Sequence, residues 1–185
     1  LQEAQEWPFT LVTYEHTLEV GTKTYSFPSD FSKADWDTFY LTNAQSAYPT
    51  KLPSISYESY INDRRSLDDV AGAGGHSKPD TVYKTQEDKF GVTPIPDNTY
   101  VVEYRYWKVP ADLSESTDVC IIPDRFKHVV IDGAMMYLMH FRSNDQSARL
   151  HEDKFRTGIK SMRRLLVDSK DYLSSTVIYR TGSSF

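Results

Sequence analysis

The chain has 185 residues, enough for one domain with a buried core, or one domain with an appendage. A formal net charge of -5 excludes a protein that holds nucleic acid by its overall charge, and leaves only a local basic patch for that role. A single cysteine, Cys120, excludes an internal disulfide and any cysteine-based zinc site.

No apolar run approaches the ~20 residues of a membrane span. The first residues, Leu1 to Trp7, are acidic and polar and do not read as a signal peptide. The chain lacks an initiator methionine, so a preceding segment is expected. Aromatic residues make up 14%, with 13 tyrosines. Tyrosine combines a large contact area with a polar tip, which suits sheet faces and subunit interfaces.

In chain order, Leu1 to Glu6 reads as the end of a helix stopped near Pro8. Alternation on both sides of Gly21-Thr22 predicts a hairpin from Thr17–Val20 and Lys23–Phe27. Trp36 to Leu41 predicts a third strand, and Lys51-Leu52 part of a fourth. A short helix is expected over Ser54–Leu67, capped by Ser56, with Tyr57, Tyr60 and Ile61 on one face. Gly72, Gly74, Gly75 and Pro79 mark Val70–Asp80 as a loop. Thr81–Lys84 and Phe90–Thr93 read as strands. After a turn at Pro94–Asn98 comes the clearest strand, Tyr100 to Trp107. There Tyr100, Val102, Tyr104 and Tyr106 face one way and Glu103 and Arg105 the other.

A polar loop, Ala111 to Asp118, precedes two amphipathic helices between Ile122 and Leu166. The first starts near Pro123, which suits a first turn, with Asp124 at the positive helix end. Its expected apolar stripe is Phe126, Val130, Ala134, Leu138 and Phe141, widened by Val129, Gly133, Met136 and Tyr137. Ser143-Asn144-Asp145 breaks it, with Asn144 expected in the left-handed conformation. The second helix puts Phe155, Ile159, Met162 and Leu166 on one stripe, with Gly158 allowing close approach. So short a break favours an antiparallel pair. Asp171–Phe185 reads as an extended tail, with strand propensity in Ser174–Tyr179.

Reactive constellations are scarce. Gly72 to Lys78 lacks the P-loop context, because Pro79 follows Lys78 and no helix opens there. Asp124 and His128, or His128 and Asp132, share a helix face, but two ligands do not make a metal site. Cys120 beside Ile121 and Ile122 reads as buried and inert. No serine lies in a Gly-x-Ser-x-Gly elbow. Asp68-Asp69 and Glu152-Asp153 are adjacent pairs whose side chains point apart on a helix. The second helix carries a cationic set in which Arg156, Lys160 and Arg163 follow helical spacing. It reads as a solvated face or a docking site for an acidic protein surface, with phosphate contact behind these.

Several ordered segments carry a resemblance. They are Trp7-Pro8-Phe9, Tyr25 to Phe31, Ser54 to Tyr60, Phe90 to Pro96, Tyr100 to Tyr106, Ala111 to Ser114, and Ile122 to Phe126 through Ser147-Ala148. Together they resemble the head-to-tail adaptor proteins of tailed bacteriophages, especially the tail tubular protein A type of short-tailed phages. The resemblance implies an α+β fold within one adaptor domain. It has an antiparallel β-sandwich or barrel-like part over 8–110, a helical bundle over 122–168 and an extended tail over 171–185. That family begins with a helix that joins the bundle, of which at most the end lies before Trp7. The resemblance further implies a homo-oligomeric ring of twelve copies between the portal protein and the tail nozzle protein. Double-stranded DNA passes through such a ring without specific binding.

The expected role is therefore a structural connector of the virion, assembled in the host cytoplasm, with no catalysis, cofactor, metal or membrane. Arg156, Lys160 and Arg163, and the tail residues Val177, Ile178 and Tyr179, are the candidate partner contacts. The alternatives are a tail-associated hydrolase or a carbohydrate-binding module. The first needs converging carboxylates, for which Glu58, Glu87 and Asp88 are available; the long C-terminal helices argue against the second.

Overall fold

A computed structural model describes residues 6–42, 48–68, 75–85, 88–115 and 117–167. They fall into two compact units, Thr10–Asp112 and the described part of Leu1–Phe9 with Leu113–Phe185.

The first unit is a sandwich of two four-stranded sheets. One sheet is antiparallel and holds β1 (Leu11–Leu18), β3 (Phe31–Thr42), β4 (Thr50–Lys51) and β8 (Tyr100–Lys108), in the order β1-β8-β3-β4. The other holds β2 (Thr24–Ser26), β5 (Ser54–Ile55), β6 (Thr81–Lys84) and β7 (Lys89–Thr93), in the order β2-β7-β6-β5, with β5 parallel to β6. Strand alternation makes the core. Val102, Tyr104 and Tyr106 of β8 are buried together with Phe39 and Leu41 of β3, and they meet Tyr25, Val82, Phe90 and Val92 of the second sheet. Aromatic rings fill the centre: Phe39 stacks on Tyr104 at 4.8 Å and Phe27 on Phe31 at 4.0 Å. Such pairs add ~1 kcal/mol each beyond the area they bury.

The expected hairpin around Gly21 does not form. β1 pairs along its whole length with β8, from Leu11↔Trp107 to Leu18↔Tyr100, while β2 pairs with β7. The glycine turn instead carries the chain from one sheet to the other. Gly21 adopts φ 75° and donates its N–H to the Pro96 carbonyl at 3.0 Å. The Tyr25 hydroxyl locks the same turn, donating to the Thr22 carbonyl at 2.7 Å and accepting from the Glu19 N–H at 3.0 Å. β3 begins at Phe31, earlier than its apolar alternation indicates. Its register is irregular between Asp35 and Tyr40, and there the Thr38 hydroxyl accepts the Arg105 N–H at 3.0 Å.

Ser56 does cap a helix, its hydroxyl accepting the Ser59 N–H at 3.1 Å. The helix is shorter than expected and broken at Arg64, giving α1 (Tyr57–Asp63) and α2 (Arg65–Asp68); Ser54 and Ile55 belong to β5. Helix α1 covers the outer face of the second sheet. Tyr60 lies flat on Tyr83 at 3.8 Å, and Tyr83 lies over Gly91, where any Cβ would run into the ring.

In the second unit a 3-10 turn, Asp124–Phe126, leads into α3 (Lys127–Phe141), followed by α4 (Asp145–Leu166). Asn144 caps α4 by accepting the Ser147 N–H at 3.2 Å. That duty keeps Asn144 at negative φ, and Ser143, with φ 55°, takes the left-handed position instead. The two helices pack through interleaved glycines. A Cβ on Gly158 would stand 2.6 Å from a Val129 methyl, and one on Gly133 would stand 3.0 Å from the Phe155 ring. Trp7, Ile122, Phe126, Val129 and Met162 form the core, with Phe155, Ile159 and Leu166 against it. The α4 stripe is as expected, and the α3 stripe holds at Phe126 and Val130, which lie in or against the core, but not further along. Val129 and Gly133 are buried, while Ala134, Leu138 and Phe141 face outward. The glycine groove decides this, since only the Gly133 side lets α4 come close. Cys120 is half-buried at the edge of the core. The expected helix end at Leu1–Glu6 lies mostly outside the described residues, as does the tail 168–185.

Three outcomes test this packing. Burial lowers the His16 imidazole pKa below its ordinary 6.5, where its ring meets Tyr25 and Phe90 edge-on; Glu19 opposes this weakly. The unfolded chain then takes up a proton first, so the fold loses stability as pH falls through 6.5. Urea melts of the protein and of His16→Phe should diverge below that pH, with the variant keeping more of its neutral-pH stability. The Tyr104 hydroxyl is buried without a partner among the described residues, so Tyr104→Phe should raise stability by ~1 kcal/mol in the same melts. Gly158→Val should cost ~1–3 kcal/mol by driving the helices apart, read as a lower melting temperature of the helical signal.

Candidate docking surfaces

Two surfaces and one cleft are the candidate sites, and each follows from local sequence. α3 also carries apolar residues outside its contact with α4. Ile131 is 60% exposed, Tyr137 73%, Leu138 41% and Phe141 88%. Ile131, Ala134, Leu138 and Phe141 are spaced three, four and three apart, the repeat of a two-helix seam. The seam runs ~15 Å along the helix. Lys127, one step earlier in the repeat, is engaged with Asp124 at 3.0 Å and closes the stripe at that end.

On α4, Arg156, Lys160 and Arg163 are all exposed on the face away from Met162. Arg156 is held by Glu152 at 2.6 Å. The spacing read from the sequence thus gives a real cationic stripe, tempered by its own acid. Val177, Ile178 and Tyr179 lie outside the described residues.

The cleft lies on the outer face of the second sheet, has a volume of about 440 Å³, and is lined by Tyr57, Tyr60 and Tyr83 with Lys23, Lys89, Thr24 and Thr85. The faces of Tyr60 and Tyr83 are spent on each other. Burial pushes both phenols above their ordinary range, so neither exchanges a proton near neutral pH. No carboxylate is among its lining residues, so Glu58 and Asp88 do not converge there. Beneath it, Asp68 accepts the Thr93 hydroxyl at 3.2 Å, a buried contact that ties α2 to β7.

The titratable residues of the helix pair serve structure. Asp132 and His151 pair at 3.0 Å between α3 and α4, and Asp124 is paired with Lys127. The pairings of His128 with Asp124 or Asp132 therefore gain no third ligand. No group of three metal-binding side chains occurs among the described residues. No helix of those residues is long and apolar enough to cross a membrane.

Sequence reading found the cationic stripe and missed Ile131. The signal is present in the three-four-three spacing, but the expected stripe joined Ala134, Leu138 and Phe141 to Phe126 and Val130, which lie in or against the core.

A comparison with curated proteins finds no match. The family model described as SU10 adaptor protein matches residues 1–180, nearly the whole chain. With its reactive groups bound up in packing and its apolar stripe turned outward, the chain belongs to the SU10 adaptor protein family and is a phage adaptor with a structural role.

Proposed function

We propose that the chain is the head-to-tail connector of a phage virion, a ring between the portal protein and the tail nozzle protein around the DNA channel. The observation that carries this reading is the outward apolar surface of α3, where Ile131, Tyr137, Leu138 and Phe141 stand in solvent. A subunit of a ring needs two lateral and two axial contact faces. The α3 stripe, the cationic face of α4 and the tyrosine-rich sandwich supply contact surface of different chemistry. The net charge of -5 lets DNA pass, because phosphates are repelled rather than held. The resemblance to the tail tubular protein A type favours twelve copies, placed in the virion neck after assembly in the host cytoplasm. Val177, Ile178 and Tyr179 anchor the tail on a neighbour or on the portal, and Arg156, Lys160 and Arg163 meet an acidic partner surface.

The test is to add the purified chain to portal rings and to measure the mass and image the particles. A second ring should appear on each portal. Removing 170–185 should leave the helical signal intact and weaken assembly at least tenfold. Charge reversal at Arg156, Lys160 and Arg163 should do the same, with a loss that shrinks as salt is raised. Portal rings that stay bare with the intact chain, or hydrolysis of cell-wall polymer by it, would overturn the connector reading.

A further inference from the structure

Strand β1 (Leu11–Leu18) stands at one end of its sheet. On one side it pairs with β8 along all 8 of its residues, without a register shift. On the other side it makes no backbone hydrogen bond among the described residues. The remaining sheet ends are β4, β5 and β2, of two or three residues each, too short to template a further strand. β1 is long and regular and carries no proline, lysine or bulge, the usual guards of an edge. Two side chains mark this edge as unfinished. On the inner side Tyr14 lies against Tyr104 and Tyr106 and is still 39% exposed. On the outer side Glu15 stands directly opposite Glu103, and neither has an ion pair among the described residues. Like charges in that position weaken a ladder.

The sequence Ser174–Arg180 has the complementary pattern. It is rich in strand-forming residues, and 168–173 leave about 20 Å of reach between it and α4. In an extended strand Val177 and Tyr179 share one side, and Thr176, Ile178 and Arg180 the other. Laid along β1 with Val177 and Tyr179 inward, it covers Tyr14 with apolar surface and puts Arg180 on the side of Glu15 and Glu103. The opposite facing would drive Arg180 into the sandwich, so a single facing is selected. We infer that Ser174–Arg180 of one copy adds a strand to β1 of the next copy. Main-chain hydrogen bonds supply the affinity and the facing supplies the specificity. The contact is tail to edge, so it repeats from copy to copy and builds a ring where the rotation closes. The inference rests on the connector reading and names the surface that the tail anchors reach.

Charge exchange in the full chain, assembled on portal rings, tests the inference. Glu15→Arg and Arg180→Glu should each weaken assembly at least tenfold, because each sets like charges side by side. Glu15→Arg should not lower the melting temperature of the free chain, since it also removes the repulsion with Glu103. An equal mixture of the two variants should recover assembly, because each tail then meets the opposite charge on its neighbour. A tail that folds back on its own β1 gains nothing from mixing. Hydrogen exchange at the free side of β1 should be fast in the dilute chain and slow in the assembled ring. Failure to recover on mixing, or β1 amides already protected in the dilute monomer, would overturn the inference. Rings on the portal whose β1 amides still exchange fast would sink the added strand and spare the connector. If the intact chain leaves portal rings bare, the connector falls, and the mixing experiment is then read by sedimentation of the concentrated chain alone. Self-association lost in each variant and regained in the mixture would keep the added strand.

Discussion

A helix with apolar residues on two sides needs two neighbours, and among the described residues α3 packs along one helix, α4. Gly133 and Gly158 fix which side that neighbour takes, because only there can Phe155 and Val129 fill the space a Cβ would occupy. Once that contact is made, Ile131, Leu138 and Phe141 have nowhere to go but outward. Leaving that area in water costs several kcal/mol relative to burial, at ~25 cal/mol per Å². The exposure of the stripe is thus a consequence of how the pair packs.

The sandwich is fastened at several points. Its two sheets are joined by aromatic rings from both sides, and the turn between β1 and β2 is fastened by Gly21 and Tyr25 rather than left free. The outer face of the second sheet is closed by α1 through the Tyr60–Tyr83 stack, itself seated on Gly91. Several polar groups of the described residues are engaged in packing. The phenols are driven away from neutral ionisation, and the Asp132–His151 pair is consumed between two helices.

Much of this was legible in the sequence, and the failures have physical causes. Period-two alternation placed β6, β7 and β8, and the capping serine placed the start of α1. The Gly21 segment reads as a hairpin because local turn chemistry cannot reveal that β8 offers β1 a longer partner than β2 does. The α4 stripe was found because its opposite face is charged. The α3 stripe is only part of the buried face, because both sides of that helix are apolar and periodicity allows two answers. The choice between them rests on a glycine contact with a residue 29 positions away, Val129 against Gly158, which no local pattern encodes. The tail anchors Val177 to Tyr179 lie outside the described residues and stay an expectation.

Hydroxyl-radical footprinting of the dilute free chain and of intact virions addresses the central claim most directly. Tyr137 and Phe141 should be oxidised readily in the dilute chain and strongly protected in the assembled neck, while exposed side chains elsewhere on the helices change less. Equal oxidation of both residues in the two samples would contradict the account, because the apolar stripe would then have no partner in the particle it is held to build.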